Sequence, residues 1–274
     1  MQDVNIPINV SHLLPALNDK LIELLGSLKP TDWERQTIAK LWTVKDIVAH
    51  LLDGNIRSLS MLRDGYYGEK PAEGSLLTFL NGLNADWVKA MKRVSPGMLI
   101  LLHEATGDLY CQYYASLDPF GISPFSVDWA GETESFNWMH IAREYTEKWI
   151  HQQQIRDALD DPGLMSKEFF FPFIEVFMLA LPHTYRDINA VEGTTVRVII
   201  PGEAGGTWSL VKRPDKWVLD QLHLTKPDSE VSIEPHIAWR LFSKSIRPAD
   251  LKEKVIKGNR ELGEVAFTMV SVMA

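Results

Sequence analysis

Between Ser11 and Leu28 the leucines at 13, 14, 17, 21, 24, 25 and 28 fall on one face of a 3.6-residue period. That stripe predicts a first helix, with Ser11 as its N-cap. Pro30-Thr31-Asp32-Trp33 then reads as a turn. A second helix is expected from Thr43 to about Arg63, with Val44, Ile47, Val48, Leu51, Leu52 and Leu59 as its buried stripe. Thr43 can cap its free amides, and Asp46 complements the positive end of the helix. Gly65, Gly68, Pro71 and Gly74 mark a loop before a third helix, roughly Leu76 to Val94, which Pro96-Gly97 ends. A fourth runs from about Met98 to Leu117, and a long connection follows with Pro119, Gly121, Pro124 and Gly131, in which Trp129 and Trp138 are embedded. The last helix of the bundle spans about Asn137 to Leu159 and stops at Asp160-Asp161-Pro162-Gly163.

Beyond residue 163 the pattern changes from a helical period to alternation. After a helical stretch around Phe169 to Tyr185, the segments 194–200, 206–211 and 216–222 read as strands, and 230–233 as a fourth. Short turns separate them, so antiparallel pairing is expected. Helices over about 235–243 and 260–273 complete an α+β unit. The expected organisation is a helical bundle over 1–163, followed over 164–274 by a small α+β domain with an antiparallel sheet. No internal repeat or low-complexity tract interrupts it.

Composition narrows the function classes. Hydrophobic residues make up 45% and charged residues 23% of the 274, values typical of a chain with a packed core. A formal net charge of -8 and a pI near 5.5, without any cluster of Lys and Arg, argue against a nucleic-acid partner. The one cysteine, Cys111, cannot form an internal disulfide, which favours the cytoplasm. The most apolar stretch, Phe169 to Leu181, is too short to span a bilayer and contains Pro172 and Glu175. No membrane segment and no signal peptide are expected.

Chemistry concentrates on three residues. Glu147 and His151, four apart on one helix, lie on one face and can reach the same ion. His50, at the edge of the second helix's apolar stripe, can supply a third ligand if the two helices are neighbours. Two imidazoles and a carboxylate would leave coordination positions open for substrate. Spacing leaves other readings open. His140 lies at a similar angular position and competes as a ligand. His50 can be a flank histidine with a hydrogen-bonded neighbour, and Glu144, Lys148, Gln152 and Gln153 suggest a solvated helix face. Asp53, one turn beyond His50, can orient the imidazole or face water. Arg143, one turn before Glu147, can receive a substrate carboxylate, as can Arg240 and Arg260; each can equally be a surface ion-pair partner. Cys111 reads as a small core residue. Trp208, Trp217 and Trp239 could line an apolar cavity or simply fill the core.

The run Trp42-Thr43-Val44-Lys45-Asp46-Ile47-Val48-Ala49-His50-Leu51 resembles a signature of the DinB/YfiT-like superfamily, in its branch of mycothiol-dependent maleylpyruvate isomerases. The run from Arg143 to Leu159 is similar to that branch's second signature. The resemblance implies His50, Glu147 and His151 as ligands of a divalent metal. It also implies a four-helix bundle with up-down-down-up connectivity and a second domain like sterol carrier proteins, the latter carried by 239–242 and 256–263. Gln154 stands where an Asp is common, which alters the surroundings of His151, and the loop from Asp118 to Phe136 is long for the isomerases.

The expected function is a metal-dependent enzyme using a low-molecular-weight thiol in isomerisation or S-transfer on a small electrophile. Zinc is the first choice of metal, and nickel, iron and manganese suit the same ligands. The expected partners are the electrophile and a cellular thiol, in a monomer or homodimer. Two alternatives stand beside this: a metal-dependent hydrolase of an amide or thioester, and a small-molecule or lipid-binding module whose metal site is structural or vestigial.

Overall fold

In a computed structural model, residues 6–68, 76–126, 130–220 and 226–271 are described. Pro71, Gly74, Trp129, Gln221, Leu222 and the end of the expected terminal helix at 272–273 lie outside them. The described residues form two compact units. One comprises 6–121 with 141–163, and the other 122–140 with 164–271, so the long connection belongs with the second unit.

In the first unit, helix α1 (Leu14–Ser27) follows a tight turn over Ser11–Leu13. Ser11 does not cap it; its hydroxyl donates to Asn9 Oδ1 at 3.2 Å. Helix α2 (Val44–Arg57) opens with a reciprocal box: Thr43 Oγ1 accepts the Asp46 amide at 3.4 Å and Asp46 Oδ2 accepts the Thr43 amide at 3.1 Å. The chain then continues as a π-helical segment over Ser58–Arg63. Helix α3 spans Leu76–Met91. Pro96-Gly97, expected as a break, forms the first turn of α4 (Pro96–Ala115) behind the cap of Ser95. Proline suits that position because the first helical amide needs no partner. Helix α5 spans Asn137–Ala158, of which 141–158 belong to this unit.

Among the described residues, Leu21, Leu24 and Leu25 of α1, Val44, Ile47, Val48, Leu51 and Leu52 of α2, Leu99 of α4 and Ile155 of α5 share one core with Trp33. Polar side chains tie α5 to its neighbours across that core. Gln152 Nε2 donates to Leu17 O at 2.9 Å, and Arg156 Nη2 to Lys20 O at 3.0 Å. Arg156 also pairs with Asp161 and bonds Gln152 Oε1, so its buried charge is compensated.

The second unit contains α6 (Lys167–Met178), α7 (Leu181–Thr184), β1 (Thr195–Ile200), β2 (Gly206–Lys212), β3 (Trp217–Asp220), β4 (Ser229–Ser232), α8 (Pro235–Phe242), β5 (Val255–Gly258) and α9 (Arg260–Ala266). The sheet order is β3-β2-β1-β4-β5. Strands joined by tight turns pair antiparallel, but β4 lies parallel to β1, with Val198 opposite Val231. The sheet is therefore mixed, because β4 pairs across β1 and not with the strand that precedes it. Strand β5 is a four-residue edge strand that periodicity does not reveal. Gly258 turns out of it at φ +82°, where a Cβ would collide with Asp228 O. Helix α9 ends before residue 273 because Phe267, Thr268 and Met269 bond back three residues, not four, and the Thr268 hydroxyl takes Val265 O at 2.7 Å. Among the described residues, no helix is long and apolar enough to cross a membrane.

Candidate metal centre

The box at Thr43 and Asp46 fixes where α2 begins, and so fixes the face on which His50 stands two turns later. Immediately before it, the Trp42 carbonyl accepts Gln36 Nε2 at 2.9 Å and Thr37 Oγ1 at 2.8 Å. This small loop sets the Trp42 indole 4.7 Å from the His50 ring and 5.8 Å from the His151 ring.

His50, Glu147 and His151 each present a ligand atom, and these atoms lie within 4.8 Å of one another. His151 Nε2 is 3.4 Å from Glu147 Oε2, across one turn of α5. On the other side of the same ring, Nδ1 lies 2.9 Å from Gln154 Oε1. An amide oxygen only accepts, so Nδ1 carries a proton, and Nε2 is the ring nitrogen that faces Glu147. The His50 ring has its Nδ1 sealed from water without a hydrogen-bond partner. Burial holds His50 well below the usual imidazole range, helped by His151, Arg57 and Lys148. A neutral imidazole with a sealed, unpartnered nitrogen beside a second imidazole and a carboxylate fits a divalent cation.

Other expected positions sort out around this centre. Gln154 engages His151 directly. Asp53 does not orient His50: Arg57 Nη2 holds its carboxylate at 2.8 Å and is itself held by Asn84 Oδ1 at 2.6 Å. Burial raises the Asp53 pKa while Arg57 opposes that rise. Arg143 is buried and donates to Glu144 Oε1 at 3.3 Å, and Glu144 also accepts Tyr110 OH at 3.0 Å. In the second unit, Arg240 lies 5.3 Å over the Trp239 ring, and exposed Arg260 pairs with Glu264 at 3.1 Å. His140 also belongs to the second unit, 6.2 Å from the Phe125 ring. Cys111 is buried, and burial pushes its thiol up to about 11, which suits a core residue. Trp217 and Trp239 are buried, and Trp208 stacks on Phe171 at 6.2 Å.

The solvated face suggested by Lys148, Gln152 and Gln153 is absent. Both glutamines are buried, and Lys148 Nζ donates to Leu51 O at 3.0 Å and to Asn55 Oδ1, 4.4 Å above the Tyr110 ring. Burial pulls the Lys148 ammonium down to about 8. Trp42 as a neighbour of the centre had no signal in the residues beyond its place in the signature run.

A helical bundle that joins one imidazole from α2 to an imidazole and a carboxylate from α5, followed in the chain by an α+β unit, defines a two-unit protein with a candidate cation site in its first unit. The chain belongs to the family described as the mycothiol maleylpyruvate isomerase N-terminal domain, whose model matches residues 14–156, just over half its length. The fold is similar to the crystal structure of the mycothiol-dependent maleylpyruvate isomerase, with a TM-score of 0.56 over 90% of this chain and 91% of that one, at 12% identity. A mutant of that enzyme with one histidine replaced by alanine gives a TM-score of 0.55 over 86% and 88%, at 11% identity. At such identities the likeness speaks to the fold. No curated protein matches the chain significantly.

Proposed function

We propose that this protein is an enzyme that holds a divalent metal with His50, Glu147 and His151 and uses a low-molecular-weight thiol to isomerise, or transfer sulfur to, a small electrophilic substrate. The observation that carries the reading is the convergence of three ligand atoms from α2 and α5 within 4.8 Å. The family is described by mycothiol and an isomerase, and the enzyme of similar fold is a mycothiol-dependent isomerase; both support the thiol and the reaction class. A divalent ion bound there supplies Lewis acidity that lets a thiol lose its proton near neutral pH. Zinc, nickel, iron and manganese all suit this donor set.

The chain's own residues prepare the site. Burial keeps His50 neutral, so its lone pair stays available. Gln154 holds the proton on His151 Nδ1 and leaves Nε2 as the donor. Trp42 lies against both rings on one flank. Arg143, one turn before Glu147 and bonded to Glu144, would receive a substrate carboxylate in this reading.

The test is turnover of a panel of small electrophiles by protein loaded in turn with zinc, nickel, manganese or iron, with and without mycothiol or other cellular thiols. Activity that requires both metal and thiol is expected. Activity with metal alone would indicate hydrolysis, and no activity with any combination would overturn the reading.

A further inference from the structure

The turn of α2 that carries His50 is gripped from outside by three helices. Trp87 Nε1 of α3 donates to Ala49 O at 2.9 Å. His103 Nε2 of α4 lies 2.9 Å from Val48 O, and because a carbonyl only accepts, that nitrogen must carry the ring proton. Lys148 Nζ of α5 donates to Leu51 O at 3.0 Å. The carbonyls at 48, 49 and 51 flank residue 50 on both sides, and all three residues are buried. Each carbonyl has a second lone pair beyond the one that the helix ladder uses.

The arrangement carries a cost that packing alone does not explain. His103 is fully buried, and its Nδ1 has no hydrogen-bond partner. An apolar side chain of similar size would avoid that penalty. Its retained benefit is the bond to Val48 O, two residues from His50. About two turns further on, α2 gives way to the π-helical segment at Ser58–Arg63, so the grip holds the turn of His50 ahead of a stretch of altered helical register.

We propose that Trp87, His103 and Lys148 are positioning residues that fix the height and rotation of α2, and so set His50 against His151 and Glu147. The proposal rests on the reading of those three residues as one ligand set. Ligand distances tolerate shifts of only about 0.2 Å, whereas one residue of helix advances about 1.5 Å. A small slip of α2 therefore suffices to undo the site.

The experiment uses the full chain with the substitutions Trp87→Phe, His103→Leu and His103→Gln. Tyr114→Phe serves as a control, because it removes the 3.0 Å bond between Ser58 and Tyr114 away from His50. Two readouts are taken: the ring-to-ring nuclear Overhauser effects between His50 and His151 in metal-free protein, and the affinity and visible spectrum of added cobalt(II). Trp87→Phe and His103→Leu are expected to lose the ring contacts and weaken cobalt binding roughly tenfold to a hundredfold. His103→Gln, whose amide can still donate to Val48 O, is expected to restore both, and it keeps the test available if His103→Leu does not fold. Tyr114→Phe is expected to change thermal stability but neither readout. Wild-type ring contacts and cobalt spectra in Trp87→Phe and His103→Leu would overturn the proposal. Wild-type protein that takes no cobalt, yet loses its ring contacts in these two variants, would defeat the metal reading and leave the positioning role standing.

Discussion

His50 and His151 meet edge to face, with ring centroids 4.5 Å apart and planes 73° apart, although one rises from α2 and the other from α5. Two protonated imidazoles at this distance would repel each other, and burial together with His151 keeps His50 in its neutral form. His50 therefore stands beside His151 as an uncharged ring.

If the three residues form one ligand set, removing any of them removes the site. His50→Ala, Glu147→Gln and His151→Ala should each lower divalent-metal affinity by more than about a hundredfold, beyond the tenfold to hundredfold range of outer-shell changes. Competition against a chromophoric chelator measures this. Equal affinities in wild type and all three variants would contradict it.

Gln154 acts on His151 through the proton on Nδ1. Gln154→Ala should weaken metal binding roughly tenfold and let the His151 proton exchange between its two nitrogens, a change visible in ring 15N shifts. Gln154→Asp should raise the basicity of His151, because a carboxylate stabilises the protonated ring more than an amide does.

The start of α2 depends on one reciprocal pair of bonds. Thr43→Ala should cost about 1 kcal/mol of unfolding free energy in urea titration. The double change Thr43→Ala with Asp46→Ala should cost less than the sum of the two single changes, since each residue's bond supports the other's.

His103 adds a pH dependence of known sign. Burial lowers its pKa from the ordinary 6.5 to about 4. Between those values the unfolded chain binds more protons than the folded one, so stability is full above pH 6.5 and falls as pH drops toward 4. The loss approaches roughly 1.4 kcal/mol per pH unit. Urea midpoints at about pH 7 and pH 5, either side of the ordinary imidazole value, should differ less for His103→Gln than for wild type. An identical difference would contradict this role for His103.

Some of this was legible in the residues and some was not. The start of α2 could be read because Thr43 and Asp46 bond locally, within one turn. His50 could be placed at a helix edge because the apolar stripe beside it is regular. The buried state of Gln152, Gln153 and Gln154 could not, since polarity looks like solvation until a distant partner such as Leu17 O is known. The parallel pairing of β1 with β4 and the short edge strand β5 are likewise long-range outcomes. The pairing of Asp53 with Arg57 was available in the sequence, as opposite charges four apart on a helix, and it competes directly with a role for Asp53 at His50.

The most direct measurement is the metal content of purified protein after incubation with zinc, nickel, manganese or iron and extensive dialysis, for wild type and for the double variant Glu147→Ala with His151→Ala. About one ion per wild-type chain is expected for at least one metal, as a single cluster of three ligands would hold, and essentially none in the variant. Wild type without any retained ion, or a variant that retains as much as wild type, would contradict a shared metal centre at His50, Glu147 and His151.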